Sequence, residues 1–215
     1  MLTSNLIAMK NNFLRIVLAF ATLSLVVSCE EEITDIAPFK PLIFSQNFEE
    51  QPYGSGSTEI PINISGWGNY NLTGNTRKWI GKSFDNSVFA EFSSFYSAAG
   101  TSDETWLITS KLDLTTTTNE TFVFTTKTRF ANGAQLKALV STDYDGTETG
   151  IATATWTELT ATYPTADDVA TLSGNIDLSS YESNNVYIAF KYVGSKAGGT
   201  TTTFQLDDIK LFENK

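Results

Sequence analysis

An all-β fold, built as a two-sheet sandwich, is what this 215-residue sequence predicts, and three observations predict it. From Leu42 onward no apolar pattern repeats at the helical period. The apolar segments are short, rich in Val, Ile, Phe, Tyr and Thr, and separated by clusters of Gly, Asn and Asp. About ten of them follow one another, and strands at that spacing each bury one face between two sheets.

Ahead of the sandwich stands an address. Lys10 and Arg15 give residues 1–28 a positive start, and Ile16–Val27 form a 12-residue apolar run. A membrane-crossing helix needs about 20 such residues, so the run reads as the centre of a signal peptide. Met9 opens a complete positive segment of its own (MKNNFLR) and is a second candidate start. The run ends in Val26-Val27-Ser28-Cys29, which resembles the bacterial lipobox, where the cysteine becomes the lipidated N-terminus. Glu30-Glu31-Glu32 follow at once, and an acidic cluster there resembles the surface-export signal of Bacteroidota lipoproteins. Residues 29–40 are thus expected to be a lipidated acidic tether and residues 41–215 the sandwich domain. The expected location is the outer membrane, as a lipoprotein exposed on the cell surface and attached to the membrane through lipid only.

Strands are expected at 42–48, 88–92, 105–109, 121–130, 135–141, 155–160, 170–176, 185–193 and 202–213. Val88, Ala90 and Phe92 share a face, as do Phe122, Phe124 and Phe130. The same holds for Leu136, Ala138 and Val140, and for Val186, Ile188, Phe190 and Tyr192. Asn132-Gly133, between two of these strands, is the strongest hairpin signal in the chain, and it pairs 121–130 with 135–141. In the last strand Phe204 and Leu206 share one parity while Ile209 and Leu211 share the other. The phase flips at Asp207-Asp208, as it does at a β-bulge.

Composition removes whole classes of chemistry. The chain has no His, which excludes Ser-His-Asp triads, His-based acid–base work and nearly every His-containing zinc site. Its one Cys excludes disulfide staples and Cys-cluster metals. Loss of the signal takes Lys10 and Arg15 away and leaves 12 Lys+Arg against 24 Asp+Glu. Such a balance excludes a nucleic-acid partner, which needs a basic footprint. The sequons at Asn63, Asn71 and Asn119 carry no weight in a bacterial chain.

A run of motifs brings a family into view. In order they are Trp67 (SGW), Trp79, Trp106 (ETWLITSKLDL), VSTDYDG at 140–146, ATWTEL at 154–159, IDLSSY at 176–181, VYIAFKYVG at 186–194 and FQLDDIKL at 204–211. Together they resemble the choice-of-anchor J family and its relatives, the cleaved-adhesin domains, over about residues 42–214. The resemblance implies a jelly roll similar to carbohydrate-binding modules and galactose-binding domains, often with structural calcium. It does not imply one function, since fold and function separate readily.

Calcium is the expected cofactor, because it takes oxygen ligands and this chain is rich in carboxylates. In similar jelly rolls the ion lies where the first and last strands meet, and the matching positions are Glu49, Glu50, Asp207 and Asp208. Two carboxylates at a bulge in an apolar strand need a partner, and a cation is the simplest. Asp143-x-Asp145-Gly146-x-Glu148 looks like a fragment of an EF-hand loop but lacks its later ligands, so it reads as a turn. The four Trp belong to the family-like motifs and read as core, with Trp106 alternating with Ile108. Loop aromatics are better candidates for stacking on a sugar: Tyr53, Tyr70, Tyr96 and Tyr144. Catalysis would need a carboxylate pair, and nothing in the sequence pairs any two of Glu91, Asp103, Glu104 and Glu158. The expectation is a non-catalytic domain that binds an extracellular glycan or polymer. The alternative is an adhesin or accessory lipoprotein docking a surface protein through a sheet face.

Overall fold

The computed structural model describes residues 40–73 and 75–214. The signal segment, Cys29 and all of the tether except Lys40 lie outside the described residues.

Among the described residues the chain forms twelve strands and two short 3-10 turns, at Ser94–Tyr96 and Thr149–Ala152. The first six strands are β1 (Leu42–Gln46), β2 (Gly68–Asn71), β3 (Ile80–Phe84), β4 (Ser87–Phe92), β5 (Ser102–Ile108) and β6 (Glu120–Arg129). The rest are β7 (Gln135–Ser141), β8 (Thr157–Glu158), β9 (Thr171–Leu172), β10 (Ile176–Asp177), β11 (Tyr187–Ser195) and β12 (Thr203–Glu213). They make two antiparallel sheets. One runs β10-β6-β12-β4-β3, with β1 beside β12 and β9 beside β6; the other runs β2-β5-β11-β7-β8. This is the two-sheet sandwich that the strand pattern predicts, in the jelly-roll form that the family resemblance implies.

The inner faces interleave as the alternation requires. Ala90, Phe92, Phe122, Phe124, Phe204 and Leu206 of one sheet join Leu136, Ala138, Val140, Ile188, Phe190 and Tyr192 of the other in a single buried core. Phe124 meets Phe190 edge-to-face at 5.0 Å, and Phe92 meets Tyr192 so at 4.7 Å.

The flip at Asp207-Asp208 is a bulge. Register shifts between Asp207 and Lys210, and Asp208 takes a left-handed φ of 48°. The extra residue restores the inward phase, so Phe204, Leu206, Ile209 and Leu211 all reach the core. It also marks a change of neighbour. Before the bulge β12 pairs with β4 through residues 204–206; after it, β12 pairs with β1 through residues 209–212.

Three expectations are corrected. Residues 121–130 and 135–141 do not form a hairpin: β6 pairs with β12, β9 and β10, whereas β7 pairs with β11 and β8 in the other sheet. Their apolar faces meet across the core rather than side by side. Asn132 is instead tied to the start of β12, its side-chain Oδ1 accepting from Thr201 N at 2.6 Å and its Nδ2 donating to Thr201 Oγ1 at 2.8 Å. Phe130 does not share the face of Phe122 and Phe124, because its φ of 54° turns it out of the strand into solvent. Strands β2 and β3 come in addition to the expected set. A hairpin does join β3 to β4, through Asp85 and Asn86, both left-handed at φ 52° and 62° as a type I′ turn requires.

Candidate functional site

The alternation that sends Ala90, Phe92, Phe204 and Leu206 into the core sends Glu91 and Gln205 to the opposite face of the seven-stranded sheet. Cross-strand register places Glu91, Gln205 and Lys127 in one row across β4, β12 and β6. Gln205 Nε2 donates to Glu91 Oε2 at 3.0 Å. A groove of about 480 Å³ lies over this row, walled by Lys82, Phe84, Tyr96 and Arg129 among others.

A second groove of about 370 Å³ shares Tyr96 with the first and adds Phe95, Phe130, Asn132 and Thr203. Four large aromatic rings therefore stand around the paired grooves, and all are open to solvent: Phe84 69%, Phe95 55%, Tyr96 64% and Phe130 70% exposed. Tight local geometry presents them. Phe84 precedes the type I′ turn, Phe130 is left-handed, and Phe95 and Tyr96 ride on a 3-10 turn capped by Ser93, whose Oγ accepts from Phe95 N at 3.2 Å.

Tyr96 is backed by a cation. The Arg77 guanidinium lies 5.3 Å from the Tyr96 ring and 5.0 Å from the core ring of Phe92, bridging the exposed aromatic and the interior. Glu59 holds it in place, accepting from Nε at 3.0 Å and from Nη2 at 2.6 Å, while Nη1 donates to the Ser93 carbonyl.

Of the four candidate tyrosines, Tyr96 is the one in these grooves. Tyr53 is exposed but is not among the residues lining them. Tyr70 is half-buried and borders a separate cleft of about 640 Å³ with Trp67. Tyr144 is corrected: only 2% of it is exposed, and it is a core residue. It belongs to a second apolar cluster, with Trp106, Ile108, Leu139, Ile151, Tyr187 and Ala189. Trp106 and Ile108 are thus buried together in this cluster rather than in the core between the sheets. Trp79 is fully buried, whereas Trp67 and Trp156 are partly so.

The EF-hand-like fragment is a self-bonded loop. Hydrogen bonds from Ser141 and Thr155 hold Asp143 below the usual carboxylate range, and those from Thr147 do the same for Asp145. The four carboxylates weighed for catalysis each have their own partner. Glu91 takes Gln205, Asp103 takes Asn71, Asn75 and Ser97, Glu104 takes Lys191, and Glu158 takes Lys137.

The calcium candidates divide in two. Glu49 accepts from Ser87 Oγ at 3.0 Å and Val88 N at 3.2 Å, stitching the chain after β1 to the start of β4 beside the bulge. Burial, and then the negative charges of Asp208 and Glu49, push the Asp207 carboxyl up to about 6. Asp208 is engaged by Lys210 Nζ at 3.0 Å, and Glu50 is exposed. Among the described residues no three carboxylates gather to hold a metal.

Asp207 predicts a pH effect. Its pKa is higher in the folded protein than the ordinary value of about 3.9, so its contribution to stability is full below about pH 4 and lost as pH rises through about 6. In metal-free buffer Asp207→Asn should abolish that fall. At pH 7.5 it should raise the thermal midpoint by about 2–4 °C, a shift already reduced for the solvent that reaches this half-buried group. Parallel pH profiles for the two proteins would contradict the assignment.

Comparison with known proteins comes down on the fold. A family model described as a domain of unknown function (DUF5017) matches residues 118–213, the part of the chain from β6 to β12. A search of the curated proteins returns no match. Among solved structures, the K1 cleaved adhesin domain of Lys-gingipain from Porphyromonas gingivalis W83 is similar at 18% identity and a TM-score of 0.50, over 80% of this chain and 98% of that one. The K3 cleaved adhesin domain of the same protein is similar at 20% identity and a TM-score of 0.51, over 80% and 100%. The chain thus has the jelly-roll architecture of the cleaved-adhesin domains.

Proposed function

We propose that this is a non-catalytic binding domain whose ligand is an extracellular glycan, taken up in the paired grooves around Tyr96. The observation that carries the reading is the ring of four exposed aromatics on the grooves of one sheet face. Aromatic faces stack on the apolar faces of pyranose rings, and planar polar groups such as the Glu91–Gln205 pair suit sugar hydroxyls. A groove open to solvent suits the interior of a polymer chain. A protein partner would call for a flat apolar patch, and the aromatics here line concave surface instead. Commitment of Glu59 to Arg77 and of Glu91 to Gln205 supports a site that binds without an acid–base pair. The kinship of fold with adhesin domains agrees with a binding role.

The lipidated Cys29 and its acidic tether belong to the same proposal, holding the sandwich off the outer membrane at the cell surface. So does calcium. Glu49 and Asp207 would hold the ion at the junction of β1, β4 and β12, where its charge would relieve the buried Asp207 carboxylate. Calcium is expected to raise the thermal midpoint of the wild type and to leave Asp207→Asn unmoved; equal shifts in both would remove the site.

The test of the function is a glycan array probed with residues 30–215, in calcium and again in EDTA. Binding in either buffer is the expected result, and binding lost in EDTA would make the ion part of the site. Silence in both buffers would overturn the glycan reading.

A further inference from the structure

We propose that the ligand of these grooves is an anionic glycan, a polymer whose sugars carry carboxylate or sulfate groups; the inference rests on the glycan reading and narrows it. The four exposed rings share a second property besides exposure. Each has a cation over it: Arg77 over Tyr96 at 5.3 Å, Lys127 over Phe84 at 5.7 Å, Arg129 over Phe130 at 5.4 Å and Lys196 over Phe95 at 3.9 Å. Lys82 lines the larger groove as well.

This concentration runs against the composition of the chain. Twenty-four acidic residues face fourteen basic ones in the sequence, yet each of these rings carries a cation, and Lys82 and Arg129 line the larger groove against Glu59 and Glu91. Their local acids do not cancel them. Glu59 is consumed by the buried Arg77, and among the described residues Lys82, Lys127 and Lys196 make no ion pair with a carboxylate. Arg129 does pair, with the exposed Asp168 at 3.1 Å, a contact weak enough to be exchanged for a ligand group. Glu91 is the one carboxylate lining the grooves that is free of a cation, and it accepts from Gln205.

Chemistry follows from the arrangement. A solvated ammonium resting on an aromatic face is held weakly, so Lys127 can swing toward an acidic substituent on a sugar lying against the neighbouring ring, while Lys196 is fixed beside its ring by donating to the Phe95 carbonyl at 2.6 Å. Neutral sugars need the rings and the Glu91–Gln205 pair, and take from the lysines a hydrogen bond but no ion pair. An anionic sugar uses all three. The same lysines would also draw the polymer in from a distance, at a rate that salt would suppress.

The experiment compares residues 30–215 on immobilised polygalacturonate, chondroitin sulfate, neutral galactan and single-stranded DNA, at 50 and 500 mM NaCl. The wild type should bind at least one anionic polysaccharide about tenfold more tightly than galactan at low salt, and lose that margin at high salt. The Lys82→Gln/Lys127→Gln double variant should lose the same margin at low salt with an unchanged thermal midpoint. Preference for polygalacturonate would assign carboxylate, and preference for chondroitin sulfate would assign sulfate. Galactan bound as tightly as either, whatever the salt or the lysines, would overturn this proposal and leave the glycan reading standing. Failure on every polysaccharide would overturn both. Tighter binding to DNA than to any polysaccharide would also overturn it, as general attraction to polyanions.

Discussion

Arg77→Ala is expected to cost about 3 kcal/mol and to lower the thermal midpoint by about 6–12 °C, while abolishing ligand binding at the Tyr96 groove. The guanidinium is buried between two rings, is held by both oxygens of Glu59, and donates to the carbonyl of Ser93, the residue whose Oγ caps the 3-10 turn. Removing it strands a carboxylate that is itself two-thirds covered, and the loss from breaking a buried pair comes largely from the partner left behind. Tyr96 would also lose the surface that fixes its ring. Replacing both partners, as Glu59→Gln with Arg77→Met, should recover most of the stability but not the binding. Thermal melts of the single and double variants check this, and a single variant that melts like the wild type would contradict it.

Tyr144→Ala should cost about 3 kcal/mol and leave ligand affinity intact in the protein that remains folded. Tyr144 stands edge-to-face on Tyr187 at 4.9 Å and packs on Trp156 at 5.3 Å, and Trp156 in turn packs on Trp106 at 5.2 Å. Its ring is thus a keystone of the second cluster, which lies apart from the core between the sheets. Burial also pushes its phenol well above the ordinary range, consistent with a site that water does not reach. A variant with a normal melt and lost binding would return Tyr144 to the ligand surface.

The fold was readable because strand alternation is a local signal. Val186, Ile188, Phe190 and Tyr192 announce an inward face by spacing alone, and the phase change at Asp207-Asp208 announces its bulge in the same way. Pairing was not local. Asn132-Gly133 has hairpin chemistry, but what the turn joins is decided by Thr201 and Thr202, some seventy residues on, which hold Asn132 and send the chain to the other sheet. Strands β2 and β3 escaped because SGWGNY and WIGKSF alternate poorly and are broken by glycine.

Of the four groove rings, the sequence alone marks only Tyr96 as a candidate. Phe84, Phe95 and Phe130 look in sequence like ordinary strand aromatics, and left-handed backbone or a 3-10 turn is what turns them outward. Asp85-Asn86 after Phe84 was the one local signal that could have marked a ring at a hairpin tip. Glu91, Gln205, Lys82 and Arg129 come from four strands, and only the completed sheet assembles them. Tyr144 differs in the opposite sense: its loop sequence suggests exposure, whereas the 142–156 loop folds its aromatics into the second cluster.

In the proposed function, the exposed ring of Tyr96 is the anchor of a glycan-binding groove. The measurement is calorimetric titration of residues 30–215 and of Tyr96→Ala with the best-bound polysaccharide from the array. The expected result is a loss of about thirtyfold in affinity, as for an anchoring aromatic, with an unchanged thermal midpoint. Equal affinities for the two proteins, with binding lost instead in Tyr53→Ala or Tyr70→Ala, would place the ligand elsewhere on the sandwich.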